Sequence, residues 1–278
     1  MTTQVESSHA NGESDRPTHE ALTAAEPREE CVTEARILEI REETPTVREL
    51  VLEVVDPAFS FKPGQWVDFF IDGCSVIGGY SLCSIASELP KLRLAVKRST
   101  HPPAAWCHSE ACRAGVVVQM KAGGGFFWDS DDALEKSCEH LVLVSGGIGI
   151  NPLYSIAQTV VRQDSSKLPN LRRVTLLYSA AKPSELAFRQ DLEDLAASDQ
   201  RFDVEFRVTR NDGAEKEPFE GPTERIDAPA LRKAVFGLKT REVLAFVCGP
   251  SEMTDAIVDS LRGEVGLPEE RVRCEKWW

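Results

Sequence analysis

No two of the eight cysteines in this 278-residue chain form a C-x-x-C pair, and its five histidines complete no zinc spacing. That excludes the usual structural zinc sites. Cys107 and Cys112 begin a C-x4-C, yet Gly115 stands where the plant-type iron–sulfur pattern needs a third cysteine. No metal is expected. Long apolar runs are missing too: the richest stretch, 141–150, is broken by glycines and falls short of the roughly 20 residues that cross a bilayer. No membrane span is expected. Positive charge is in deficit, with 32 Lys and Arg against 45 Asp and Glu and a formal net charge of -13. Nucleic acid requires clustered bases, so it is not an expected partner. The chain has no secretory apolar segment near its start, which points to reduced thiols in an intracellular protein.

What is present falls into three stretches. Residues 1–30 are rich in Glu, Ser, Thr, Ala and Pro and lack apolar periodicity, the pattern of a disordered acidic tail. Residues 31–131 carry short Val-, Ile- and Phe-rich runs at 32–40, 47–55, 65–71, 80–85, 92–97 and 116–121, separated by turn signals such as Lys62-Pro63-Gly64 and Asp72-Gly73. Six strands at that spacing predict a small antiparallel barrel, with one helix inserted over 104–113 behind Pro102-Pro103. Over 137–278 the rhythm becomes strand then helix, with strands at 141–144, 174–178, 204–209, 243–247 and near Val272, and helices at 152–162, 184–196 and 253–261. That alternation predicts a Rossmann-like parallel sheet, in which dinucleotides bind at the carboxyl ends of the strands. Residues 123–137 form the link, and 210–225 read as a mobile surface loop.

Two strand ends carry the chemistry of a nicotinamide dinucleotide. The buried run 141–144 ends in Ser145, Gly146, Gly147, Ile148, Gly149, Ile150 and Asn151, and Pro152 opens a helix. Glycines there let backbone approach a pyrophosphate, whose charge suits the free N–H groups of the helix start. Tight strand–helix packing explains the same glycines equally well. The strand 243–247 ends likewise in Cys248, Gly249 and Pro250, at the mouth of the sheet where a nicotinamide ring is expected. A small buried hydrophobe is the alternative role for Cys248. No acid directly ends the strand 174–178 and no Arg cluster follows it, so NAD is preferred over NADP only by a narrow margin.

A barrel followed in order by Tyr80-Ser81, Gly-Gly-x-Gly-x-x-Pro and Cys-Gly-Pro-x-x-Met resembles the ferredoxin–NADP reductase-like flavoprotein superfamily over residues 31–278. Residues 59–70, 95–97, 101–104, 147–153 and the terminal Glu-Lys-Trp-Trp look closer still to the oxidoreductase NAD-binding domain-containing protein 1 group. The resemblance implies an FAD-binding FR-type barrel, FAD and NAD(P) as cofactors, and hydride passing from NAD(P)H to flavin and on to an unidentified acceptor. It implies that Tyr80 packs on the flavin ring, that Ser81 bonds near its N5, that Cys248 shapes the junction and that Trp278 gates it. It also points to mitochondria, whereas the acidic tail is the opposite of an import signal and favours the cytoplasm. Two positions depart from the superfamily: Gly78 replaces the Arg that grips the flavin phosphate, and Ala105 replaces a helix-start Ser. Lys97 and Arg98 are candidate substitutes, and an Arg restored at Gly78 is expected to tighten flavin binding. A nicotinamide-binding sensor or interaction module with weak or lost flavin binding is the second reading.

Overall fold

The computed structural model describes residues 18–210 and 219–277. Six strands make the first half: β1 (Arg28–Thr44), β2 (Val47–Val54), β3 (Trp66–Phe70), β4 (Gly78–Ser81), β5 (Lys91–Lys97) and β6 (Val117–Gly123). They are hydrogen bonded in the order β4-β3-β6-β1-β2-β5, and all their pairings are antiparallel. A single bridge, Leu82 to Leu94, joins the two edges and closes a near-barrel. Its interior is apolar because alternate residues point inward, as with Leu50, Leu52 and Val54 on β2 and Leu92, Leu94 and Val96 on β5. The inserted helix, α2 (Pro102–Cys107), starts at the prolines and ends earlier than expected. The N–H groups of His108 and Ser109 turn back onto the carbonyls of Ala104, Ala105 and Trp106 and close it.

A five-stranded parallel sheet follows, in the order β11 (Val272–Trp277), β10 (Val243–Pro250), β7 (His140–Gly146), β8 (Arg173–Ala180) and β9 (Phe202–Val208). β7 is buried along its whole length, as a central parallel strand must be. α4 (Ile150–Arg162) and α5 (Arg189–Ser198) pack on the sheet, as do α6 (Ala228–Ala234) and α7 (Ser251–Gly263). Chain order reverses between β7 and β10, so the crevice at their carboxyl ends is the switch point where ligands bind in such sheets.

Part of the stretch expected to be a disordered acidic tail is folded. Residues 1–17 lie outside the described residues, but from 18 onward the chain is folded: α1 (His19–Leu22) is capped by Thr18, and β1 already pairs with β6 at Arg28. Of the loop expected at 210–225, residues 211–218 also lie outside. The link between the halves holds α3 (Ala133–Lys136), whose Glu135 is buried and accepts two bonds from Arg273, at 2.6 and 3.1 Å. Burial, then the Asp132 carboxyl, pushes the Glu135 carboxyl up to about 7.

α4 joins the halves. Asn151, Ser155 and Gln158 lie at i, i+4 and i+7, one face of the helix, and bond the backbone carbonyls of Ala95 (2.8 Å), Ser84 (2.6 Å) and Cys83 (2.9 Å) in the barrel. All three side chains are buried, so each broken bond would leave a dry carbonyl, at about 1–3 kcal/mol.

His140, at the start of β7, is fully buried and bonds Thr175 at 2.9 Å. Burial, then Arg173, depresses its pKa to about 4. The unfolded chain takes up this proton near its ordinary value and the folded chain does not, so stability is lost as pH falls below that value. Between about pH 7 and about pH 5 the loss is about 2 kcal/mol. His140→Leu should remove that component, and urea melts of both proteins at the two pH values measure it.

Candidate functional site

The two glycine-bearing segments of the parallel sheet interlock. A Cβ on Gly149 would lie 2.4 Å from the Cys248 carbonyl oxygen and 2.7 Å from Gly249 Cα. One on Gly146 would lie 2.3 Å from the Met253 sulfur. These glycines are therefore required by packing: they let the first turn press against the second. Gly147 is different. It adopts φ +55 with open space where a side chain would point, so its backbone is exposed over the crevice. α4 begins behind it with no side-chain cap, but the Ile150 N–H turns back onto the Gly147 and Ile148 carbonyls and Pro152 has none, so the turn itself is the main place for an anion.

The expected dinucleotide residues divide into two sets. Gly146, Gly147, Ile148, Gly149, Gly249 and Pro250 come together at the ends of β7 and β10. Ile150 is fully buried in the core, and Asn151 turns away to bond the barrel, so neither faces the crevice. Sequence could not separate these two from their neighbours. Lys97, at the end of β5, lines a narrow gap with Gly147, Ile148, Tyr178 and Ala180. The residue therefore borders the Gly147 turn as well as the barrel.

Ser81 and Cys248 meet through a residue that sequence reasoning missed. β11 pairs with β10 so that Glu275 stands opposite Cys248, and the Ser81 hydroxyl lies 3.5 Å from the Glu275 carboxylate. The signal available was the acid two residues before Trp277 in the terminal strand. Cys248 itself is fully buried in the core of the sheet. Trp278, the expected gate, lies outside the described residues.

The flavin-motif strand is closely packed around Tyr80. Tyr80 is turned onto Phe69, with ring centroids 5.5 Å apart, and its hydroxyl is buried against the Cys107 thiol without a well-aligned hydrogen bond. Burial, then that thiol, pushes its pKa well up. A Cβ on Gly78 would lie 2.7 Å from the Tyr80 ring and 3.0 Å from Pro103. An Arg at 78 thus meets these two groups first, and the expected gain in phosphate binding requires Tyr80 to move. Ala105 is exposed and offers no hydroxyl. Firmly held flavin phosphate does not fit this set of residues.

Between the barrel and β11 lies a cleft of about 460 Å³, with Trp66, Gly125 and Phe126 on one side and 273–276 on another. The glycines at 123–125 are not a slack linker. Cβ atoms on Gly123 and Gly124 would fall 2.8 and 2.6 Å from the Trp66 ring. The described residues include no cluster of three or more His, Cys, Asp and Glu able to hold a metal, and no helix long and apolar enough to cross a membrane.

The contrast between the glycines can be measured. Gly149→Ala should unfold at markedly lower temperature, because its methyl meets backbone that cannot give way. Gly147→Ala should cost only about 1–2 kcal/mol, the strain of a left-handed residue. Equal losses in thermal melts would contradict the interlocked geometry.

Comparison with known proteins agrees with this architecture. Residues 143–259 match the oxidoreductase NAD-binding domain family. The chain is similar to the Bos taurus oxidoreductase NAD-binding domain-containing protein 1, 39% identical over 277 residues, 95% of this chain and 86% of that one. It is 26% identical over 250 residues to ferredoxin–NADP reductase B of Sorangium cellulosum, 88% of this chain and 97% of that one. Among solved structures, a ferredoxin–NADP+ reductase from Neisseria gonorrhoeae with bound FAD and NADP superposes with a TM-score of 0.73 at 20% identity, covering 90% of this chain and all of that one. The fold is thus that of the ferredoxin–NADP reductase-like proteins, and the chain belongs to the oxidoreductase NAD-binding domain-containing protein 1 family.

Proposed function

We propose that the chain is an NAD(P)H-dependent oxidoreductase whose electron acceptor is a flat ring of the flavin class, taken up as an exchangeable ligand rather than kept as resident FAD. The observation that carries the nicotinamide half is Gly147: bare backbone at positive φ, open above, at the switch point and in front of an uncapped helix. The pyrophosphate is assigned to this turn at the start of α4, with Lys97 of the barrel beside it. The nicotinamide end is assigned to Gly249 and Pro250.

The bound nicotinamide supplies a hydride. The chain's own part is to orient and enclose: the interlocked turns fix the ring's height, and Ser81 and Glu275 close the junction between barrel and sheet. Holding two reactants in such a geometry is worth several orders of magnitude in rate. No step is assigned to a held FAD, since Gly78 and Ala105 lack the Arg and Ser that hold its phosphate in the superfamily. A charge-assisted bond to phosphate contributes about 1.5–3 kcal/mol, so the missing Arg alone weakens such a ligand by roughly ten- to a hundredfold.

That same absence favours a second reading, a nicotinamide-binding module without turnover. Anaerobic mixing with NADH and added riboflavin separates the two. The oxidoreductase should be colourless as purified and should bleach the riboflavin band, and Gly147→Val should slow bleaching at least about tenfold through weaker NADH binding. NADH binding without bleaching would establish the module, and a tightly held yellow flavin would contradict the exchangeable acceptor.

A further inference from the structure

The segment before β1 lies on the flavin-motif strand. The His19 imidazole rests directly on Gly79, where a Cβ would fall 2.1 Å from His19 Nδ1. The same ring stands edge-on to Trp66, centroids 4.8 Å apart at 85°, and its Nε2 lies 2.9 Å from the buried carboxylate of Asp68. Arg28 grips the other Asp68 oxygen at 2.7 Å and carries its guanidinium over Trp66. From there it reaches back to the Thr23 carbonyl and hydroxyl, at 2.8 and 2.7 Å. Glu26 takes the Gly125 N–H at 2.8 Å. Burial raises the Asp68 carboxyl, but the bonds from His19 and Arg28 outweigh it and hold its pKa below the usual range.

A flat ring on bare glycine, edged by an indole and bonded to a buried carboxylate, is a seat for a nitrogen heterocycle. The chain fills it with its own side chain. Along β4 the residues on one face are Gly79 and Ser81, so this seat is one step from the Ser81–Glu275 contact. The segment also forms the near wall of the 460 Å³ cleft, through Leu22, Thr23 and Glu26. Only His19 and Thr23 of residues 18–27 are buried, and a helix of four residues has negligible stability of its own. The segment is therefore held by its ring and its few polar bonds.

We propose that residues 18–27 are a strap, seated by His19 on Gly79, Trp66 and Asp68, and that the strap limits entry of a flat heteroaromatic acceptor to the cleft. This rests on the acceptor reading above. In the full chain, His19→Ala should free the strap, and Gly79→Ala should expel it by a second route, since its methyl occupies the place of the imidazole. Hydrogen exchange at 18–27 should rise in both. Riboflavin, which has the ring without a phosphate, should bind His19→Ala about tenfold or more tighter when followed by quenching of its fluorescence. Added imidazole should reverse both effects in His19→Ala and not in Gly79→Ala. Unchanged exchange in both variants would overturn the strap, and faster exchange with unchanged riboflavin affinity would overturn its control of entry. NADH titration of the same proteins reads the nicotinamide seat separately, so a failure there counts against the proposed activity and not against the strap.

Discussion

The placement of α4 is the constraint on which the rest of the molecule depends. Its first turn follows the Gly147 backbone at the switch point, and its flank binds three barrel carbonyls through Asn151, Ser155 and Gln158. One rigid helix therefore fixes both the glycine turn at the switch point and the distance from that turn to the barrel. The hydrogen bonds are dry, so sliding the halves apart exposes buried donors and acceptors together and is opposed more steeply than apolar packing alone would be. Further contacts act in the same sense: Glu185 accepts bonds from Thr44 and Thr46, and Glu43 accepts the Phe188 N–H. The crevice between barrel and sheet is thus built with its width already set.

Much of the fold was legible because its signals are local. Six β-runs with turn residues between them, then alternating strands and helices, specify the two halves, and β7 reads as a buried parallel strand from composition alone. α6 was missed although Asp227-Ala228-Pro229 is a good helix start, since the helix is only 7 residues long and has little periodicity to detect. The strap was read as part of a tail because its composition is polar. What orders it is a handful of tertiary bonds to Asp68, Trp66 and Gly125, and no local pattern encodes these.

The site was legible to a different degree in each half. Glycines at 146–149 and 249 announce a close approach, and the structure supplies two reasons for it: mutual packing for Gly146, Gly149 and Gly249, and an open positive-φ backbone for Gly147. Spacing alone cannot distinguish these. Asn151 was grouped with the cofactor ligands because it belongs to the same glycine-rich turn, but its side chain bonds the barrel. Glu275 was visible only as an acid in the terminal strand, because its partner Ser81 is 194 residues away. In the barrel the motif letters Tyr80 and Ser81 are present, and the space beside them is filled. Tyr80 folds over Gly78, and Pro103 fills what space is left. The two halves thus differ in what they present: the sheet has an open glycine turn at its switch point, and the barrel has Tyr80 and Pro103 packed around Gly78 and His19 resting on Gly79.

The central claim is that the nicotinamide seat is formed by this chain without any held flavin. Hydrogen exchange measured with and without saturating NADH, on protein stripped of flavin, tests it most directly. The account predicts protection centred on 146–149 and Gly249, the two glycine turns at the switch point, with 78–81 unchanged. Protection that appears only after FAD is restored, or that falls on 78–81 and not on the glycine turns, would contradict it.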